Sequence, residues 1–381
     1  MNDETTAADS TRPRTELPIG RKLVFSAIVA VAALVLATVC AEIALRCHYE
    51  KVSRITGVTE WSLDTWEGIT YFWDEYHPRY GWTNVPGYKS DARIPFRVTI
   101  NGQRLRATRE YSPAPVRPLR RIAMFGDSST FGEEVNDEET VPALLEGELR
   151  DAEVLNFGVR GYGLGQMMLR MEDEAFALKP DHVVVVVYVP QDVTRDTSPY
   201  FSHNKPVFST KGDTLEVENV PVPLASEQPW LIRHSFVAAW LFGRPQGDVE
   251  QEHVVPHAPR VRLMMARLAA SCAAHRVPLT VVTITFAGNL EQMEASATTS
   301  QFVGNLRRAV TESGVDALDL VDVLKAAYKR EGAALLTPLG HWSRRGNELL
   351  ARRIAEHLAR DGSAWRLANP AATTRDSPPS P

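Results

Sequence analysis

From residue 119 onward the chain alternates between two hydrophobic periods. RRIAMFGD (120–127) and EVLNFGV (153–159) read as short strands, while ETVPALLEGELRD (139–151) and QMMLRMEDEAFALK (166–179) space apolar residues three and four apart, as one face of a helix does. HVVVVVYV (182–189) is apolar without interruption and β-branched, the mark of a strand covered on both faces of a parallel sheet. The pattern continues with a helix over 261–276, a strand over 278–286, a helix over 302–313, a short strand near 315–320 and a terminal helix over 344–360. Strands alternating with helices predict an α/β fold, a three-layer α/β/α sandwich with a mostly parallel sheet.

The N-terminal pattern differs. LVFSAIVAVAALVLATVCA (23–41) carries no charge and directly follows Arg21-Lys22, which predicts a transmembrane helix over 23–45 after a disordered cytoplasmic tail (1–22). Arg12, Arg14, Arg21 and Lys22 precede it, against Arg46, Lys51 and Arg54 after it, a lean towards a cytoplasmic N-terminus. The expectation is a single-pass inner-membrane protein with its main domain on the periplasmic, extracytoplasmic side. Residues 46–118 form a membrane-proximal, aromatic-rich segment that includes Trp61, Trp66, Tyr71, Phe72, Trp73, Tyr76, Tyr80 and Trp82. The main domain runs over 119–362, with an insertion at about 192–258, and residues 363–381 read as a disordered tail. The apolar stretch PWLIRHSFVAAWLF (229–242) within the insertion is too short to span a bilayer.

Composition narrows the classes. A net charge of −5 without a basic block argues against a nucleic-acid partner. Cys40, Cys47 and Cys272 suggest no disulfide framework. His253 and His257 are separated by Pro256 and lack an acidic partner at ligand spacing, so no metal site is expected. GYGLGQ (161–166) departs from the dinucleotide pattern at its last position, and GDSST (126–130) is not a G-x-S-x-G elbow.

Ligands of open parallel sheets sit beyond the C-terminal strand ends. Those ends carry Gly126-Asp127-Ser128, then Asn156-Phe157-Gly158 with Gly161 shortly after, and Pro190-Gln191-Asp192; His341 precedes the last helix. A hydroxyl, glycine amides, a side-chain amide and an imidazole on one rim are equipment for acyl transfer.

These blocks resemble the SGNH/GDSL hydrolase superfamily over roughly residues 119–362. FGDSSTFGE resembles its first block, NFGVRGYG the second, VPQDV the third and GHWSRRGNELLA the last. The resemblance implies Ser128 as nucleophile and His341 as base. It implies an oxyanion hole of Ser128, Gly161 and Gln191, the last standing where the family has Asn. The acid that the family carries two or three residues before the histidine is replaced here by Leu339 and Pro338, so Asp319 and Asp322 are the candidate substitutes. The membrane span, with YGW…PG (80–87) and TINGQRLR (99–106), resembles a subset of anchored bacterial members linked with acyl groups on exported polysaccharides. The expected function is a serine esterase for acyl, above all O-acetyl, esters, with an acylated carbohydrate or other small ester as substrate and no cofactor. One alternative, an O-acyltransferase, uses the same residues; another, suggested by the missing acid and the Gln in place of Asn, is a non-catalytic carbohydrate-binding or scaffold protein.

Overall fold

The computed structural model describes residues 18–47, 73–90, 94–201, 203–223, 235, 237–238, 241, 257–338, 340–360 and 363–369. Residues 1–17 and 370–381, Trp61, Trp66, Tyr71, Phe72, His253 and Leu339 lie outside the described residues. Residues 363–369 of the expected C-terminal tail are described, and Trp365 among them is buried in the core. The chain divides into two compact units, Met1–Asp64 with Trp230–Gly243, and Thr65–Pro229 with Arg244–Pro381.

The smaller unit contains helix α1 (Ile19–Cys47). Its Ile19–Ala44 stretch has a mean hydropathy of 2.8 and is long and apolar enough to cross a membrane, a test that a signal sequence also passes. Late in this helix, Glu42 Oε2 accepts hydrogen bonds from Ser235 Oγ at 2.9 Å and from Val237 N at 3.1 Å. Of the long insertion, Trp230–Gly243 belongs to this unit and the residues on either side to the larger one.

The larger unit opens with a hairpin of β1 (Asp74–His77) and β2 (Gly81–Asn84). The central sheet follows: β3 (Arg120–Phe125), β4 (Ala152–Asn156) and β5 (His182–Tyr188). Between them lie the short helix α2 (Ser128–Phe131), α3 (Val141–Glu148) and α4 (Leu164–Glu174), and after β5 comes α5 (Gln191–Thr194). The insertion contributes two hairpins, β6–β7 (200–204) and β8–β9 (207–218). Helix α6 (His257–Ala274), β10 (Leu279–Ile284), α7 (Ala287–Ala295), α8 (Ala297–Thr311), β11 (Asp316–Asp319), α9 (Val321–Glu331) and α10 (Arg344–Leu358) complete the unit.

The five-stranded sheet is parallel throughout, in the order β11-β10-β5-β3-β4. Counted along the chain, that is the 2-1-3-4-5 order of flavodoxin-like folds, in which the strand order reverses between β3 and β5. The valine run explains itself here. Val183, Val185 and Val187 join the core on one face, whereas Val184, Val186 and Tyr188 join the core on the other. Met168, Met264 and Leu306 of α4, α6 and α8 cover the first face; Leu145, Leu324 and Ile354 of α3, α9 and α10 cover the second. The expected three-layer sandwich is therefore present.

The segment before the sheet is built into this unit. Trp73 stacks on Phe131 with ring centroids 5.4 Å apart, at the end of the helix that begins with Ser128. Arg106 is buried and donates to the carbonyls of Phe131 (2.8 Å), Gly132, Arg97 (2.8 Å) and Val135 (2.6 Å), while its Nε faces Asp137 at 3.2 Å. One guanidinium thereby satisfies the loop that follows Ser128. Arg106→Met removes a charged donor from Asp137 and from all four carbonyls, although Thr99 N still serves Asp137, Asn156 Nδ2 still serves Phe131 O and Val135 N still serves Gly132 O. It should cost about 3–5 kcal/mol. Urea unfolding of the full chain in detergent checks this; stability within about 1 kcal/mol of wild type contradicts it.

Candidate active site

Strand β3 ends at Phe125, and Gly126-Asp127 carries the chain into α2. Asp127 caps that helix, its Oδ1 accepting from Ser129 N at 2.9 Å, so Ser128 stands at the first helical position. The carboxylate of Asp127 is buried and faces Arg195 at 3.6 Å. Arg195 in turn donates to Asp192 Oδ1 (3.0 Å) and the Tyr162 carbonyl (3.2 Å), which ties the ends of β3 and β5 to the loop after β4.

His341 arrives from the opposite end of the sequence. Thr337 O accepts from Gly340 N at 3.0 Å, and Thr337 N donates to His341 O at 2.8 Å, closing a tight loop just before α10, which Ser343 caps. The imidazole packs edge-on against Phe286 with centroids 5.4 Å apart. Its Nε2 lies 3.1 Å from Ser128 Oγ, and its Nδ1 lies 2.7 Å from Glu134 Oε2. Thr337 Oγ1 donates to the same carboxylate oxygen at 2.5 Å. With Nδ1–H donating to the carboxylate, Nε2 carries the lone pair that accepts from the serine hydroxyl. Burial pulls the His341 pKa down, but the hydrogen bond it donates to Glu134 and the charges of Glu133, Glu134 and Asp127 outweigh it, so the group stands above the ordinary histidine value.

Glu134 comes six residues after the serine, in the FGEEV run. Its φ of 68° lies in the left-handed region, which costs a residue with a side chain roughly 1–2 kcal/mol. The Arg106 bonds to Gly132 and Val135, on either side, hold the turn in that conformation. The substitute acids anticipated from the sequence stand elsewhere. Asp319 Oδ2 and Asp322 Oδ2 each pair with Arg307 at 2.6 Å, and neither bonds to His341 among the described residues. Sheet order explains this: β11 is an edge strand three positions from β3, about 14 Å away at the usual strand spacing. Glu134 falls outside the family pattern, which places the acid just before the histidine. The available signal was the pair of carboxylates immediately after a helix-ending glycine in the serine block.

The remaining residues line the same rim. The loop after β4 runs along the serine block, Val159 N donating to Gly126 O at 3.1 Å. Gly161 has φ 74°, and a Cβ there would stand 2.9 Å from the Phe201 ring, so a side chain is excluded twice over. Among the described residues, neither the Ser128 nor the Gly161 amide N–H has a hydrogen-bond acceptor. Gln191 opens α5 at the end of β5, but its amide is paired with Asn289, Nε2 donating at 3.1 Å and Oε1 accepting at 2.9 Å. Asn289 also donates to Tyr188 Oη at 2.7 Å. One N–H of Gln191 is thus engaged, which leaves its second for a ligand.

No family model matches this chain, and no curated protein matches it. Solved structures do. An α/β-hydrolase enzyme from the metagenome of Lake Arreo, Spain, is 16% identical over 62% of this chain and 94% of that one, with a TM-score of 0.40. A catalytic mutant of an acetylxylan esterase from Geobacillus stearothermophilus is 17% identical over 66% and 100% of the two chains, at 0.39. A lipase/acylhydrolase from Enterococcus faecalis is 16% identical over 62% and 93%, at 0.37.

The geometry sets an order of titration. His341 should titrate above the ordinary value of about 6.5, and Glu134→Gln, which removes a group that raises the pKa, should lower it. NMR titration of ring-labelled histidine in the full chain checks this. A His341 pKa below 6.5 in the wild type, or an unchanged value in Glu134→Gln, contradicts it.

Proposed function

We propose that this chain is an SGNH/GDSL-type serine esterase that works through an acyl-Ser128 intermediate. The observation that carries the reading is the hydrogen-bonded line Glu134–His341–Ser128, at 2.7 and 3.1 Å, on the rim where the strand order reverses. Nε2 takes the Oγ proton as Oγ attacks the ester carbonyl. The amide N–H groups of Ser128 and Gly161, with the second N–H of Gln191, receive the oxyanion; a donor of this kind is worth about 10²–10³ in rate. Collapse of the tetrahedral species expels the alcohol, which takes the proton back from Nε2. Water then repeats the sequence on the acyl-serine, releasing the acid and regenerating the hydroxyl. Glu134 stays ionised throughout and steadies the imidazolium from Nδ1.

The rest of the reading is a matter of substrate and place. An O-acetyl ester of an exported carbohydrate fits the sequence resemblance, and a sugar hydroxyl replacing water in the second half would make the same site an O-acyltransferase. The apolar helix, with Arg21 and Lys22 in its first turn, supports an anchored enzyme with this site outside the cytoplasm. A purely binding role leaves the aligned base and acid without a use, and is the weaker account.

The full chain in detergent should hydrolyse p-nitrophenyl acetate. Ser128→Ala should reduce the rate to background, and Glu134→Gln should lower kcat by about 10³–10⁴. Asp319→Asn and Asp322→Asn should leave the rate at the wild-type level, since both carboxylates serve Arg307. Full turnover in Ser128→Ala overturns the nucleophile assignment, and a large loss in Asp319→Asn with none in Glu134→Gln overturns the acid.

A further inference from the structure

Arg160 stands immediately before Gly161, and residues from the β1–β2 hairpin hold it at both its ends. Trp82 Nε1 donates to the Arg160 carbonyl at 2.9 Å, and Tyr162 Oη donates to the Trp82 carbonyl at 2.5 Å, so the indole residue brackets the glycine. The Arg160 guanidinium lies 3.5 Å from Oδ2 of the buried Asp74 and 4.0 Å from Oε1 of Glu133. The other oxygen of Glu133 stands 3.6 Å from Nε2 of His341, the nitrogen that Ser128 engages at 3.1 Å. Glu133 is itself fixed to the serine, its amide donating to Ser128 O at 3.0 Å.

Nε2 therefore has two neighbours, a hydroxyl and a carboxylate. Once the imidazole is protonated the carboxylate is the stronger partner, because a hydrogen bond between two charges exceeds one to a neutral oxygen. A proton held by Glu133 is not delivered to the leaving alcohol. A cation on the far oxygen of Glu133 draws it away from Nε2 and offsets its charge.

We propose that Arg160, gripped by Trp82 and Asp74, is a positioning residue that aims the Gly161 amide and keeps Glu133 from capturing Nε2 of His341. This rests on the acyl-serine reading above. It makes the hairpin before the sheet a working part of the site, with no contact to substrate required of it. The charged groups facing His341 are Glu133, Glu134 and Asp127, the last held by Arg195. Those acting on Asp74 are Arg160 and Glu133, and burial with the Glu133 charge, against that of Arg160, pushes Asp74 up to about 7. Glu133 also lies in the field of the buried Arg106.

The test measures kcat and KM for p-nitrophenyl acetate between about pH 5 and 9, using the full chain in detergent. Arg160→Gln should lower kcat about tenfold with KM changed less than about twofold. Its acidic limb should move up by roughly half a pH unit, since the lost cation no longer offsets Glu133. Arg160→Lys should bring the limb back towards wild type. Glu133→Gln added to Arg160→Gln should carry it below wild type, a recovery that misfolding does not produce. A limb unmoved in Arg160→Gln, or one left high in the double variant, overturns the proposal. If wild-type hydrolysis does not depend on Ser128, the acyl-serine reading fails first and this proposal with it; Ser128-dependent hydrolysis with an unmoved limb removes this proposal alone.

Discussion

His341 is the hinge of the whole arrangement, because its two ring nitrogens join groups that lie 207 and 213 residues away in the chain. Each nitrogen does a different job. The bond from Nδ1 to Glu134 fixes the tautomer, and only that tautomer leaves Nε2 free to accept from Ser128. Those two bonds require the loop before α10 to meet the loop after β3 within a few tenths of an ångström. The parallel sheet makes that possible: β3 stands beside the reversal of strand order, and α3 and α10 pack on the same face of it.

The cost of the arrangement is local. Glu134 is held in a left-handed conformation that favours glycine, and the turn stays there because Arg106 reaches from an earlier segment to fill its carbonyls. The residues between the apolar helix and the sheet are thus more than a tether. Trp73 stacks under α2, Arg106 braces the acidic turn, Asn84 Nδ2 donates to Gly158 O at 3.1 Å, and Trp82 brackets Gly161. The serine block and the loop after β4 thus each have contacts of this kind from outside the sheet.

Much of the fold is legible from hydrophobic period alone. The valine run of β5 could only be a strand covered on both faces, and all five strands of the sheet fall within a few residues of where the pattern puts them. Helix α9 carries the same three-and-four spacing in Val321, Leu324, Ala327 and Tyr328, yet it is easily read as loop because it follows so short a strand. The hairpins of the insertion lack alternation strong enough to separate them from irregular chain. In the site, Ser128 and His341 could be placed from their positions at a strand end and before a helix. Glu134 could not, because its role depends on a backbone conformation and on an approach across 207 residues. Asp319 and Asp322 looked suitable only while the strand order was unknown; the order β11-β10-β5-β3 puts two strands between them and the serine.

The central claim is that the aligned carboxylate, imidazole and hydroxyl make Ser128 a nucleophile. The most direct measurement is labelling of the full chain by a fluorophosphonate, with the modified residue located by mass spectrometry. The account predicts a single adduct on Ser128, formed far more slowly in His341→Ala and in Glu134→Gln. An adduct on another residue, or labelling of Ser128 at the same rate in all three proteins, would contradict it.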